Sequence, residues 1–205
     1  MRVQKISKEE QTVKRWSGGT TTELFLWPPD GSYEKRNFLC RVSTAECLDR
    51  ESVFTMLPGT DRILSVLDGE IRLRHNGGDW YTLMPGMQTS FAGDEKTESR
   101  GTCVDFNIMM KGGTTGSLRC LQLGKSEEKA FAPKGDFLIF YVASGQADVK
   151  DAEETCHLQE HDVCMVSYDH AAGQEMEKTA PEPVCIEAEG DAVVMAARVY
   201  LGEAL

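Results

Sequence analysis

The sequence predicts an all-β chain made of two related halves, and three observations carry that expectation. Short runs alternate apolar and polar residues and are bounded by Gly, Pro, Asp or Asn, the pattern of half-buried strands and their turns. No window sustains the period of an amphipathic helix. One strand–glycine–strand pattern occurs in both halves.

The strand signals follow one another along the chain. In the first half they fall at Thr22–Trp27, Phe38–Ser43, Ile63–Leu67, Ile71–Arg74 and Val104–Met109. In the second they fall at Phe137–Val142, Ala147–Val149, Asp162–Val166 and Val193–Ala196. Asp49–Phe54 is expected to form a single helical turn.

The first copy of the repeat reads Leu64-Ser65-Val66-Leu67-Asp68-Gly69-Glu70-Ile71-Arg72-Leu73, then a turn at Asn76-Gly77-Gly78, then Leu83-Met84-Pro85-Gly86-Met87. The second reads Ile139-Phe140-Tyr141-Val142-Ala143-Ser144-Gly145-Gln146-Ala147-Asp148-Val149, then a polar turn, then Leu158-Gln159-Glu160-His161-Asp162. In each, an apolar strand runs into a glycine expected to supply positive φ at a hairpin corner. This arrangement resembles the cupin pattern. The resemblance implies an all-β, bicupin-like fold of two double-stranded β-helix (jelly-roll type) barrel halves. The organisation expected from it is 1–110 for the N-terminal strands and first half, 111–130 for a Gly-, Thr- and Ser-rich then charged connection, and 131–205 for a second, degenerate half.

A chain of 205 residues buries about 70% of its unfolded surface, enough for a core without disulfides. The formal net charge of -11 opposes binding to nucleic acid or an acidic membrane, but leaves room for a small acid in a locally basic pocket. Seven cysteines at irregular spacing, and no apolar N-terminal segment, point to reduced thiols and a cytoplasmic location.

Four motifs in the first half carry the functional signal. They are Trp16-Ser17-Gly18-Gly19-Thr20-Thr21-Thr22-Glu23-Leu24, Arg41-Val42-Ser43-Thr44-Ala45, Phe54 with Leu57-Pro58-Gly59-Thr60-Asp61-Arg62, and Asp105-Phe106-Asn107-Ile108-Met109. Strand alternation puts Thr21 with Glu23, Arg41 with Ser43, and Asp105 with Asn107 on shared faces. An inward Arg41 needs a carboxylate partner such as Glu23 or Asp105, since an unpaired buried guanidinium is costly. Arg62 either holds the loop at Asp61 or presents its planar fork to a ligand carboxylate. Trp16, Gly18, Gly19, Pro58 and Gly59 read as structural, the glycines allowing close backbone approach.

In their order and spacing these motifs resemble the HutD/Ves family of cupin-like proteins. One departure is that Ser17-Gly18-Gly19 stands where many members have a longer Asn-Gly-Gly-Gly turn. The resemblance implies binding of an acidic metabolite of histidine breakdown, such as formylglutamate, with Thr21, Glu23, Arg41, Ser43, Arg62, Asp105 and Asn107 as the ligand-binding candidates.

No catalytic residue is assigned: no Ser/His or Cys/His pair falls on the motifs. No cofactor is expected either. The first half offers His75 alone, whereas metal-dependent cupins use several histidines and a glutamate. Cys156, His157, His161, Cys164 and His170 in the second half could bind zinc by residue type, but Cys164 reads better as a small core hydrophobe. Three functions remain open: a metal-free small-molecule binder, an isomerase or hydrolase acting on a small carboxylic acid, and a ligand-free stress or interaction protein. Exposed strand edges offer a route to a homodimer.

Overall fold

The computed structural model describes residues 1–168 and 182–202. His170 lies outside the described residues. Strands dominate, as the alternation predicts. The first ten are β1 (Arg2–Ile6), β2 (Thr12–Trp16), β3 (Gly19–Trp27), β4 (Cys40–Cys47), β5 (Glu51–Val53), β6 (Thr60–His75), β7 (Tyr81–Leu83), β8 (Gln88–Ala92), β9 (Thr97–Lys111) and β10 (Thr115–Leu123). There follow β11 (Glu128–Phe131), β12 (Phe137–Ser144), β13 (Ala147–Lys150), β14 (Thr155–Leu158), β15 (Val163–Ser167), β16 (Val184–Ala188) and β17 (Ala192–Tyr200).

Two compact units emerge. One comprises Gln11–Thr115 with the residues from Leu201; the other comprises Met1–Glu10 with Gly116–Tyr200. The first ten residues go with the later half because β1 pairs with β15, from Arg2 opposite Ser167 to Ile6 opposite Val163. Lys5 secures that strand through a 2.7 Å ion pair to Asp162. The segment expected to be a plain connection carries β10, which lies beside β17.

The unit of Gln11–Thr115 is one eight-stranded sheet, ordered β2-β3-β4-β9-β6-β7, with β5 on β9 and β8 on β6. Its spine is the antiparallel β6–β9 pair, from Thr60 opposite Lys111 to His75 opposite Thr97. Leu64, Val66, Ile71, Leu73, Leu83, Phe91 and Cys103 form its buried core. In the other unit a five-stranded sheet (β1-β15-β12-β17-β10) and a four-stranded sheet (β11-β16-β13-β14) share one apolar core. Phe140, Val142, Cys164 and Val166 enter it from the first sheet, and Val149 and Ile186 from the second.

The internal repeat is structural as well as sequential. Gly69 and Gly145 have φ of 78° and 81°. Each follows a register shift in its strand, between Val66 and Asp68 in one copy and between Val142 and Ser144 in the other. The later turn closes identically. Gly86 N–H donates to Val66 O at 2.9 Å, and His161 N–H donates to Val142 O at 2.7 Å. His161 takes the left-handed conformation, φ 74°, that Gly86 takes in the first copy.

Two local expectations are corrected. Gly69 and Gly145 are not hairpin corners. Gly69 lies within the single bent strand β6, and Gly145 carries the chain from β12 in one sheet to β13 in another. Positive φ can serve a bend beside a register shift as well as a turn, so the glycine alone could not distinguish them. The helical turn expected at Asp49–Phe54 is instead β5, which pairs Glu51 with Arg100 and Val53 with Glu98. A 3-10 turn occurs at Lys8–Glu10, where Glu10 accepts hydrogen bonds from Ser7 N and Oγ, both at 2.8 Å.

Candidate functional site

Register explains why the predicted residues converge. Residues directly opposite one another in an antiparallel pair project to the same face. Glu23 lies opposite Ser43, and Thr21 opposite Ala45. Ser43 lies opposite Asn107, Ala45 opposite Asp105, and Cys47 opposite Cys103. Arg62 lies opposite Met109. Four strands therefore present a common polar face to a cavity of about 920 Å³. That is at the upper end of the range of about 300–1,000 Å³ that small-molecule sites occupy.

Thr21, Arg41, Ser43, Arg62, Asp105 and Asn107 all line this cavity. Glu23 stands behind Arg41, accepting from its Nε at 2.7 Å, while Arg41 Nη1 donates to Ser43 Oγ at 3.2 Å. Trp16, expected to be structural, also lines the cavity, and its indole N–H donates to Thr21 Oγ1 at 3.2 Å. Gly19 serves strand pairing: a Cβ there would lie 1.8 Å from the Glu46 carbonyl oxygen. Pro58-Gly59 forms the turn into β6, with Thr60 N–H donating to Leu57 O at 3.2 Å.

Sequence reasoning missed Tyr33, the Lys14–Glu34 pair, Phe91 and Cys47. Tyr33, in the loop between β3 and β4, lies 4.5 Å from the Arg41 guanidinium carbon. A Lys14–Glu34 ion pair links that loop to β2. The adjoining Phe54 and Phe91 rings both pack against Arg62, with centroids 5.1 and 5.0 Å from its guanidinium carbon. Cys47 lines the cavity beside Asp105. Extending the Arg41, Ser43, Ala45 alternation by one step would have found Cys47; nothing in the sequence flags the position of Tyr33.

The electrostatics are unusual for so buried a place. Arg41, Ser43, Arg62, Asp105 and Asn107 are each 7% exposed or less. Arg62 Nε, Asp105 Oδ1 and Asn107 Oδ1 are buried without a hydrogen-bond partner. Orphaned polar atoms are costly in a native core, so a cluster of them facing a cavity makes that wall a candidate ligand surface. Burial pushes the Asp105 carboxyl up to about 6, against the opposing influence of Arg62 and the Cys47 thiol. Burial also lowers Arg62 from its ordinary value, partly offset by Asp105.

The imidazole set of metal-dependent cupins does not fit the residues of this unit. Its histidine, His75, has Nε2 2.6 Å from Tyr81 Oη and Nδ1 2.9 Å from Thr97 Oγ1. In the other unit, His157 Nδ1 lies 2.6 Å from Asp148 and His161 Nδ1 lies 2.9 Å from Tyr141 Oη. Among the described residues, two groups of three could offer metal donors: Cys47, Cys103 and Asp105, and the more exposed Asp148, His157 and Glu189. No helix among the described residues is long and apolar enough to cross a membrane.

Comparison with known proteins agrees with the fold. A conserved protein of unknown function from Pseudomonas aeruginosa PAO1 superposes with a TM-score of 0.81 at 19% identity, covering 98% of this chain and 100% of that one. HutD from Pseudomonas fluorescens SBW25 gives 0.68 at 18% identity, covering 97% and 99%. A cupin 2 conserved barrel domain protein from Leptotrichia buccalis gives 0.55 at 11% identity, covering 98% of each, which makes the fold cupin-like. No curated protein matches by sequence. The HutD family model matches residues 8–184, and the chain belongs to the HutD family.

Proposed function

We propose that this chain is a small-molecule binding protein that takes an acidic metabolite in the cavity of the Gln11–Thr115 unit. The observation that carries the reading is the pair of buried guanidinium groups, Arg41 and Arg62, with Arg62 Nε and Asn107 Oδ1 both unpaired in residues that line the cavity. A carboxylate would satisfy the arginine donor, and an N–H or O–H of the same ligand would satisfy the Asn107 acceptor. Acid recognition of this kind needs no metal. Formylglutamate, the ligand suggested by the family resemblance, has both kinds of group, and its capture would moderate histidine catabolism in the cytoplasm. The matching turns in the two units support a bicupin-like reading of the whole chain.

A second reading, an isomerase or hydrolase of a small acid, draws on one observation. A carboxyl pushed up to about 6 beside an arginine, as Asp105 is, suits proton transfer near neutral pH.

Thermal unfolding with N-formyl-L-glutamate, urocanate and glutamate tests the binding reading. An acid at about 100 times its Kd adds roughly 2.7 kcal/mol, a shift of about 5–10 °C for a chain this size. The shift is expected with one acid and is expected to vanish in Arg62→Ala. No shift with any acid would favour a ligand-free protein, and consumption of the acid would favour the enzyme.

A further inference from the structure

We propose that Cys47, Cys103 and Asp105 form a binding site for a thiophilic divalent cation, zinc by preference, in the wall of the cavity. The proposal uses the cavity but does not rest on acid binding.

Cys47 and Cys103 lie directly opposite each other on β4 and β9, so both thiols project to one face. Asp105 is two residues beyond Cys103 on that face, and the Cys47 thiol donates to Asp105 Oδ2 at 3.6 Å. One donor atom from each of the three lies within 4.8 Å of the others. Bonds of about 2.0–2.3 Å around a tetrahedral ion separate its donors by about 3.5 Å, so closing the set requires no donor pair to approach by more than about 1.3 Å.

An independent observation points to a missing ligand. Asp105 is 3% exposed, and its other oxygen, Oδ1, is buried without a partner. Two thiols and one carboxyl, crowded in a place sheltered from water, make poor neighbours when ionised. A divalent cation relieves that crowding: it displaces both thiol protons and neutralises most of the charge of two thiolates and a carboxylate. Arg62 lies close enough to Asp105 to attract it and offset the remaining negative charge. Thiolates select soft or borderline ions over magnesium and calcium. Three protein donors leave a fourth position, and because Cys47 and Asp105 line the cavity that position opens into it.

This revises the expectation that the first half binds no metal. That expectation rested on the scarcity of histidine; the donors proposed here are sulfur and carboxylate.

The test is titration of the full-length, chelator-treated protein with Co²⁺, without oxygen and with a non-thiol reductant. The expected result is one Co²⁺ per chain, a near-ultraviolet thiolate-to-cobalt charge-transfer band, and displacement by Zn²⁺. Cys47→Ser, at a half-buried position, is expected to abolish the band, and Cys103→Ser to do the same. Asp105→Asn is expected to weaken binding at least tenfold, while Cys156→Ser leaves it unchanged. A band that survives in Cys47→Ser, or no band in folded protein with reduced thiols, would overturn the proposal. So would a Cys47–Cys103 disulfide in freshly isolated protein, which would assign the pair to redox chemistry. Acid-induced thermal shifts in the metal-free protein report on the arginines alone, so failure of one reading is distinguishable from failure of the other.

Discussion

Arg41 donates to Glu23 at 2.7 Å across the β3–β4 pair, and the register of the two strands slips immediately beyond Glu23. The bulge and the ion pair sit together, so the side chain that neutralises a buried arginine comes from the most irregular part of its partner strand.

Removing Glu23 is therefore expected to cost more than removing a surface partner. Glu23→Ala leaves a guanidinium that is 5% exposed without its carboxylate, and should cost about 2 kcal/mol. Lys14→Ala breaks an ion pair between two exposed side chains, and should cost less than about 1 kcal/mol. Urea unfolding of the two variants measures the difference directly.

Arg62 is expected to tolerate no substitution that keeps only its charge. Lysine lacks the Nε–H that now has no partner, and lacks the planar group packed against Phe54 and Phe91. Arg62→Lys should weaken binding of N-formyl-L-glutamate at least tenfold, read by isothermal titration. A Kd within twofold of the unsubstituted protein would remove Arg62 from acid recognition.

The repeat glycines give a paired prediction. A Cβ at Gly69 would lie 2.4 Å from Thr102 O, and one at Gly145 would lie 2.4 Å from Asp191 O. Alanine at either position adds that clash to positive-φ strain and should cost about 3 kcal/mol or more. Gly77 also has positive φ, 74°, but open space around it, so Gly77→Ala should cost only about 1 kcal/mol. Melting temperatures of the three variants test the ranking.

Asp162 makes the other unit's stability depend on pH. Burial alone would raise its pKa, but hydrogen bonds from Lys5, Gln159 N and Lys8 N more than compensate, leaving the carboxyl below its ordinary range. A carboxyl depressed in the folded state contributes stability above the unfolded Asp pKa of about 3.9, and that contribution is lost as pH falls through the lower folded value. Asp162→Ala should cost about 1–2 kcal/mol at pH 7 and progressively less below pH 4. A pH-independent difference in unfolding free energy would rule out the ionised carboxyl as the source.

Much of this was legible in the sequence because alternation encodes face. Arg41 with Ser43, and Asp105 with Asn107, could be assigned to common faces from spacing alone, and strand register then brought those faces together. Register itself is a long-range property, which is why the opposition of Cys47 to Cys103 was invisible beforehand. Gly69 shows a different limit. Its positive φ was readable, but whether the chain would reverse or merely bend depended on β9 continuing alongside, from Thr102 to Thr97. Tyr33 was unreadable because it sits in a loop, where no period reports direction.

The β6–β9 pair has a consequence for how the molecule could change over time. Arg62, Asp105 and Asn107 are anchored in its long ladder, whereas Trp16 and Val53 at the rim belong to the short strands β2 and β5. Substitutions at the rim can therefore alter which molecules gain entry to the cavity while leaving its charged floor untouched. Selectivity and grip are separately adjustable, so a new preference could be acquired by exchanging a few peripheral side chains without redrawing the scaffold.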